Sequence, residues 1–307
     1  MTRKALVVRL PFGLVLDTPV LSASGCYGAG LEGAAFGDLA ALGALVTKTV
    51  TPRPRAGNPP PRIYETPCGM LNSIGLENPG VEAFLANDLQ RALQQSRPLI
   101  LNVGGESLEE YEAIVERVQG CGAVALEINL SCPNVQGGAL PFSTDPAACE
   151  LVVRRCRERS TLPFFVKLSP NVSTSLLLEV AAAAEAAGAD GLTLINTLLG
   201  RAIDWRRRKP RLALGSGGLS GPAIKPVAIH CIASVRAKTR LPILGVGGAA
   251  SAEDICEFLA AGADAVQVGT AQFRDPLAAV RLVQEVEDLL VGAETSASEL
   301  TASTRAR

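Results

Sequence analysis

Glu127-Ile128-Asn129-Leu130-Ser131-Cys132-Pro133-Asn134 is the densest group of chemistry-bearing residues in the chain. It closes an apolar run, so polar side chains gather where a buried segment ends. Cys132 stands there as a thiol that substrate can reach and a closing loop can cover; a small buried core cysteine is the plain alternative. Asn129 and Asn134 can each donate and accept hydrogen bonds, which suits a ligand with alternating amide N–H and C=O groups. Strand-end turns use Asn as well. Lys48, in VTKTV, and Lys167, in FFVKLSP, lie in apolar runs. An ammonium there is costly unless it meets an anion or a polar ligand; an internal salt bridge would also satisfy it. Gly245-Val246-Gly247-Gly248 and Val268-Gly269-Thr270 can present backbone N–H groups to a phosphate, or simply turn the chain tightly.

The elements that must position these residues read as alternating strands and helices. Eight near-continuous apolar runs are candidate strands: Pro19–Gly25, Ala44–Val50, Pro98–Val103, Ala123–Cys132, Pro163–Ser169, Gly191–Thr197, Pro242–Gly248 and Ala265–Thr270. Runs of this kind fit parallel strands buried on both faces. Between them, Leu108–Val118 carries an apolar stripe with acidic residues near its start, and Ala181–Ala187 ends at Gly188, a candidate C′ glycine. Ser251 is a candidate N-cap with Asp254 three residues on. The echo of AAGADGLTLINT at 186–197 in AAGADAVQVGT at 260–270 points to repeated helix-to-strand units. The expected fold is an α/β (β/α)8 TIM barrel, with a doubly wound sheet as the alternative. One domain is expected over 1–291, followed by a polar tail, 292–307, that frays. Thr51–Pro79, Pro133–Pro146 and Leu198–Gly221 are too long for simple loops, and all follow strand C-termini, the catalytic face of such a barrel. Pro52–Arg62 is stiffened by proline. Arg201–Arg211 holds six Arg or Lys and the only Trp, Trp205, as a solvated hairpin or a docking surface.

Composition excludes several functions. The chain has 307 residues, a net charge of −1 and 48% hydrophobic residues, which argues against general nucleic-acid binding and against global disorder. No uncharged stretch is free of Gly, Pro, Asn and Ser for long enough to span a membrane, and the N-terminal apolar run is too short for a signal peptide. A cytoplasmic location is expected. The single histidine, His230, rules out multi-His zinc sites, and no pair of the eight cysteines makes a CxxC, so no metal is expected within the chain. Most of these thiols are expected in the core. Gly28-Ala29-Gly30-Leu31-Glu32-Gly33 is formally GxGxxG, but the next strand ends in Thr47-Lys48-Thr49-Val50-Thr51 without the acidic residue a dinucleotide site wants.

ASGCYG (23–28), TKT (47–49), RPRAGNPPPRIYETPCGMLNSIGLENPG (53–80), EINLSCPN (127–134), VKLSPNV (166–172), ADGLTLINTLLG (189–200), GGLSGPAIKPVA (217–228) and GVGGAASAEDICEFLAAGADAVQVGTA (245–271) together resemble the dihydroorotate dehydrogenase family of flavin barrels. The resemblance runs from about Leu6 to Leu290. It implies one FMN, held by Ser24, Lys48, Thr49, Asn102, Asn129, Lys167, Ile195, Gly221, Gly247, Gly248, Gly269 and Thr270. It implies a substrate pocket of Lys48, Asn72, Ser73, Ile74, Gly75, Leu76, Asn129, Asn134, Asn196 and Thr197. Cys132 aligns with the catalytic base of the soluble class and would take the C5 proton of dihydroorotate while flavin N5 takes the C6 hydride. Lys167 would stabilise negative charge on reduced flavin, and Lys48 would offset the substrate carboxylate. NVGG at 102–105 departs from the more usual Asn-Val-Ala-Gly. SGCYG, NPPPR and GGLSGPAIKPVA look most like the NAD-linked subgroup. There, FAD and [2Fe-2S] sit on a partner subunit, in a heterotetramer of two barrels, themselves a homodimer, and two reductase subunits. Alternatives are the fumarate-linked homodimer and a related FMN barrel acting on dihydropyrimidines. A non-redox barrel with a Schiff-base Lys167 is a rival from another class.

Overall fold

The computed structural model describes residues 4–95, 98–130 and 142–305. Eight parallel strands form the central sheet: β1 (Val20–Ser22), β2 (Leu45–Val46), β3 (Leu99–Val103), β4 (Ala125–Asn129), β5 (Phe164–Lys167), β6 (Gly191–Leu194), β7 (Ile243–Val246) and β8 (Ala265–Val268). Each pairs with its neighbour in sequence from β2 to β7, then β8 pairs with β7 and with β1. A bridge from Leu21 to Ala44 brings β1 to β2 and closes the barrel. The doubly wound alternative is thereby excluded. The strands are shorter than the apolar runs that announce them. Gly247, Gly248, Gly269 and Thr270 lie beyond the ladder, where the chain turns outward at the C-terminal rim.

Helices follow the strands on the outside, among them Leu108–Arg117, Pro146–Arg159, Thr174–Ala186, Lys225–Arg236, Ala252–Ala260 and Ala278–Gly292. Their ends obey local chemistry. Ser107 Oγ accepts from the Glu110 N–H, and Gly188 takes φ +99 just past the Ala187 C-cap. Ser251 and Asp254 close a full capping box. In the GxGxxG segment, a Cβ on Gly33 would lie 2.7 Å from the Tyr27 ring, so that glycine serves close packing.

Several expectations are corrected. The connections at 51–79 and 198–221 are not structureless. They contribute Ile63–Thr66, Gly69–Asn72, Leu198–Gly200 and Gly217–Ser220 to a four-stranded antiparallel sheet at the rim. Each segment is too polar and glycine-rich to announce a strand, and the pairing between them is long-range. The tail is not wholly frayed either: Ala297–Arg305 is a helix, and buried Thr301 donates through Oγ1 to the Ala263 carbonyl at 2.7 Å. Among the described residues seven cysteines are free thiols, and only Cys149, Cys156 and Cys231 are buried. Cys121 and Cys256 are partly buried and pack against the core, so most of these thiols do belong to it, while Cys26 lies in the cavity wall and Cys68 is exposed. Arg201–Arg211 includes a short hairpin, Ile203–Asp204 with Lys209–Pro210, whose Trp205 is 75% exposed. No described helix is long and apolar enough to cross a membrane.

Candidate active site

The strand C-termini and the rim sheet enclose a cavity of about 410 Å³. Of the residues expected to hold a cofactor, Ser24, Lys48, Thr49, Asn129, Lys167, Ile195, Gly221, Gly247, Gly248, Gly269 and Thr270 line it. Of those expected to meet substrate, Asn72, Ile74, Gly75, Leu76, Asn196 and Thr197 line it too. Asn102 and Ser73 do not. Asn102 is buried below, its amide donating to Glu127 Oε1 at 2.5 Å. Ser73 is buried behind the wall, held by the Asn58 side chain. Cys132 and Asn134 lie outside the described residues.

One side of the cavity is backbone without side chains. Gly248 has φ +95, and a Cβ there would lie 2.7 Å from the Gly221 carbonyl and 2.9 Å from the Lys225 nitrogen. At Gly221, with φ +96, a Cβ would lie 2.6 Å from Gly69 Cα. These positions tolerate only glycine. Gly248 stands just beyond the end of β7, and Gly221 just before the turn that opens helix Lys225–Arg236, where an anion is favoured. Thr270 Oγ1 donates to Ser220 Oγ at 2.8 Å beside them. Lys225 itself is spent elsewhere, on Asp254 and Glu257 at 2.7 and 2.6 Å.

The opposite side is polar and cationic. Asn129 Nδ2 donates to Thr49 Oγ1 at 3.3 Å, and the Asn129 carbonyl accepts from Tyr111 at 2.7 Å. Lys167 Nζ donates to Ser24 Oγ at 3.0 Å and pairs with Glu127 Oε1 at 3.3 Å. The internal salt bridge and the cavity-facing lysine are therefore one group with two roles. Burial pulls the Lys48 ammonium below its ordinary pKa; Glu77 opposes that and Arg62 adds to it. Arg62 and Glu77 pair in the wall. Gly75 and Leu76 both take positive φ, +76 and +56, which carries the Ile74–Glu77 backbone against the cavity. Leu76 holds that conformation at a cost of order 1 kcal/mol.

Sequence reading missed several lining residues, among them Cys26, Arg62, Met70, Glu77, Ser220 and Phe273. It also missed Glu127, Thr193 and Gln267 below them. All of these but Phe273 lay within the quoted phrases, yet nothing local separates a cavity residue from its neighbours there. Desolvation pushes the Cys26 thiol up to about 11 against the pull of Lys167 and Lys48. It is a protonated thiol at neutral pH, unsuited to act as a base.

The family model for dihydroorotate dehydrogenase matches residues 7–290. The chain belongs to the dihydroorotate dehydrogenase family. It is 50% identical over 282 residues to the catalytic subunit of dihydroorotate dehydrogenase B (NAD(+)) from Listeria monocytogenes serotype 4a, covering 92% of each chain. It is also 50% identical over 286 residues to the subunit of the same name from Bacillus cytotoxicus, covering 93% of this chain and 92% of that one. A crystal structure of dihydroorotate dehydrogenase from Eimeria tenella in complex with ferulenol superposes with a TM-score of 0.83 at 24% identity, over 97% of this chain and 88% of the other. At that identity the likeness speaks for the barrel fold. Dihydroorotate dehydrogenases are FMN-dependent oxidoreductases, and the non-redox Schiff-base reading falls with the family assignment.

Proposed function

We propose that this chain is the FMN-bearing catalytic subunit of an NAD-linked dihydroorotate dehydrogenase, oxidising (S)-dihydroorotate to orotate in pyrimidine biosynthesis. The observation that carries the reading is the cavity itself. A glycine cradle faces a lysine and asparagine wall, and both are built from the motifs that bear the family resemblance.

The residues fit the flavin. Gly221, Gly247, Gly248, Gly269 and Thr270 would take the phosphate on backbone N–H groups. Ser24, Thr49, Asn129 and Lys167 would hold the ring system. FMN supplies the hydride acceptor when bound. Lys48, half-buried beside the Ile74–Leu76 turn, offsets the substrate carboxylate. Asn72, Asn129, Asn134 and Asn196 read the amide edges of the pyrimidine ring. Cys132, three residues beyond the end of β4 in sequence, takes the C5 proton as thiolate. Cys26 does not compete for that role, being held protonated. Electrons would leave through a partner subunit carrying FAD and [2Fe-2S], two barrels and two such subunits forming a heterotetramer in the cytoplasm. The names of the Listeria and Bacillus relatives support an NAD-linked, multi-subunit enzyme.

The test is an anaerobic absorbance spectrum of the purified chain before and after dihydroorotate. A yellow flavin spectrum that bleaches is expected. A colourless chain that FMN cannot reconstitute overturns the reading, and a yellow one that bleaches only with carboxylate-free dihydropyrimidines moves the substrate to those. Rapid fumarate reduction by the barrel alone, with no reductase subunit co-purifying from the native source, would overturn the NAD-linked assignment.

A further inference from the structure

The barrel layer directly below the cavity is polar, although such layers are ordinarily filled by branched apolar side chains. It is organised around one carboxylate. Glu127, with no exposed surface, accepts from Asn102 Nδ2 at 2.5 Å and from Lys167 Nζ at 3.3 Å on Oε1. It accepts from Thr193 Oγ1 at 2.9 Å and Gln267 Nε2 at 2.6 Å on Oε2. The donors are committed to it: Asn102 Oδ1 and Gln267 Oε1 are buried with no hydrogen-bond partner among the described residues. Lys167 is the one cation Glu127 meets among the described residues, and its other bond goes to Ser24, in the cavity wall. A buried carboxylate with four donors is costly to assemble, and an apolar layer would pack as well. Its charge therefore has a use at the cavity floor.

We propose that Glu127 is a positioning residue for Lys167: it anchors the ammonium beside Ser24 and offsets part of its charge, and so sets how strongly the cavity favours reduced, anionic FMN over oxidised FMN. This rests on the flavin reading above. The Asn102, Thr193 and Gln267 donors set the strength of that offset by stabilising the carboxylate. Asn102 thus acts on the flavin through Glu127, without lining the cavity.

The experiment is the midpoint potential of FMN bound to the holoprotein, measured by equilibration with a reference dye. Glu127→Gln removes the negative charge and keeps the shape, and the free oxygens of Asn102 and Gln267 can turn to accept its new N–H groups. The preference for reduced over oxidised FMN should rise about tenfold, a positive shift of about 30 mV for a two-electron couple. Glu127→Asp keeps the charge and should restore most of the wild-type value. Gln267→Leu leaves the carboxylate less stabilised and should move the potential the other way; it decides the matter if Glu127→Gln does not hold flavin. A flavin-loaded Glu127→Gln protein with an unchanged or lowered potential overturns the proposal, as does an unmoved Gln267→Leu potential. A wild-type chain that binds no FMN overturns the flavin reading and this inference together, so the two failures are told apart by the wild-type spectrum.

Discussion

The side-chain amide of Asn58 reaches Ser73 across 15 residues, donating to its carbonyl at 3.1 Å and to its hydroxyl at 3.2 Å. A Cβ on Gly75 would lie 2.6 Å from the same Asn58 side chain. Asn58 thus clamps the turn whose next residues, Ile74 to Leu76, form part of the cavity wall. Asn58→Ala should cost about 1–3 kcal/mol, because the polar groups of Ser73 stay buried without that donor. The loosened turn should raise KM for dihydroorotate more than it lowers kcat. Chemical denaturation and steady-state kinetics check both.

Gly248→Ala should weaken the flavin site. At φ +95 an added Cβ is strained, and it would press on the Gly221 carbonyl at 2.7 Å, within the cradle itself. FMN affinity should fall at least about tenfold, since a displacement there removes N–H groups from the phosphate. Fluorescence titration of the apoprotein with FMN measures it. Unaltered affinity would place the phosphate elsewhere.

Two thiols belong to the active-site motifs, and they should separate by pH. Cys132→Ala should retain FMN yet lose dihydroorotate oxidation by orders of magnitude at neutral pH. A base works when deprotonated, so wild-type turnover should rise with pH toward the ordinary thiol range, about 8.5. Cys26 titrates near 11, too high to produce that limb. Cys26→Ser should therefore leave the midpoint of the profile in place. A pH–rate profile of the three proteins is the measurement, and near-normal turnover of Cys132→Ala would remove it from the mechanism.

Asp254 caps helix Ala252–Ala260 and binds Lys225 at the start of the neighbouring helix. Burial works to raise its carboxyl pKa, but the Lys225 hydrogen bond and the backbone N–H of Ala250 prevail and hold it below the ordinary value. A depressed carboxyl stabilises the fold above its unfolded pKa, about 3.9, and the contribution is lost as pH falls through the lower folded value. Asp254→Ala should lower stability by about 1 kcal/mol near neutrality. The gap from wild type should close in acid. Thermal melts from pH 3 to pH 7 test this.

Much of this protein was legible in its sequence by itself. Apolar runs at strand spacing, the GAD echoes and the Ser251–Asp254 cap are local signals, and a parallel strand buried on both faces cannot avoid writing itself as a hydrophobic run. A glycine that no Cβ could replace, Gly248, was visible for the same reason, the constraint falling on one residue and leaving its mark there, whereas Gly221 entered only with the family resemblance. The tertiary structure alone decided what depends on distant partners. Pairing of the 63–72 and 198–220 segments into one rim sheet needed strands more than 120 residues apart, as Leu71 and Leu219 are. It showed that Lys167 both meets Glu127 and faces the cavity, and that Asn102 sits below the site. It gave Cys26, with an ordinary thiol in an ordinary-looking phrase, a pKa near 11 through desolvation. Burial, charge pairing and cavity walls are properties of neighbours in space, and a barrel makes neighbours of residues that the chain keeps far apart.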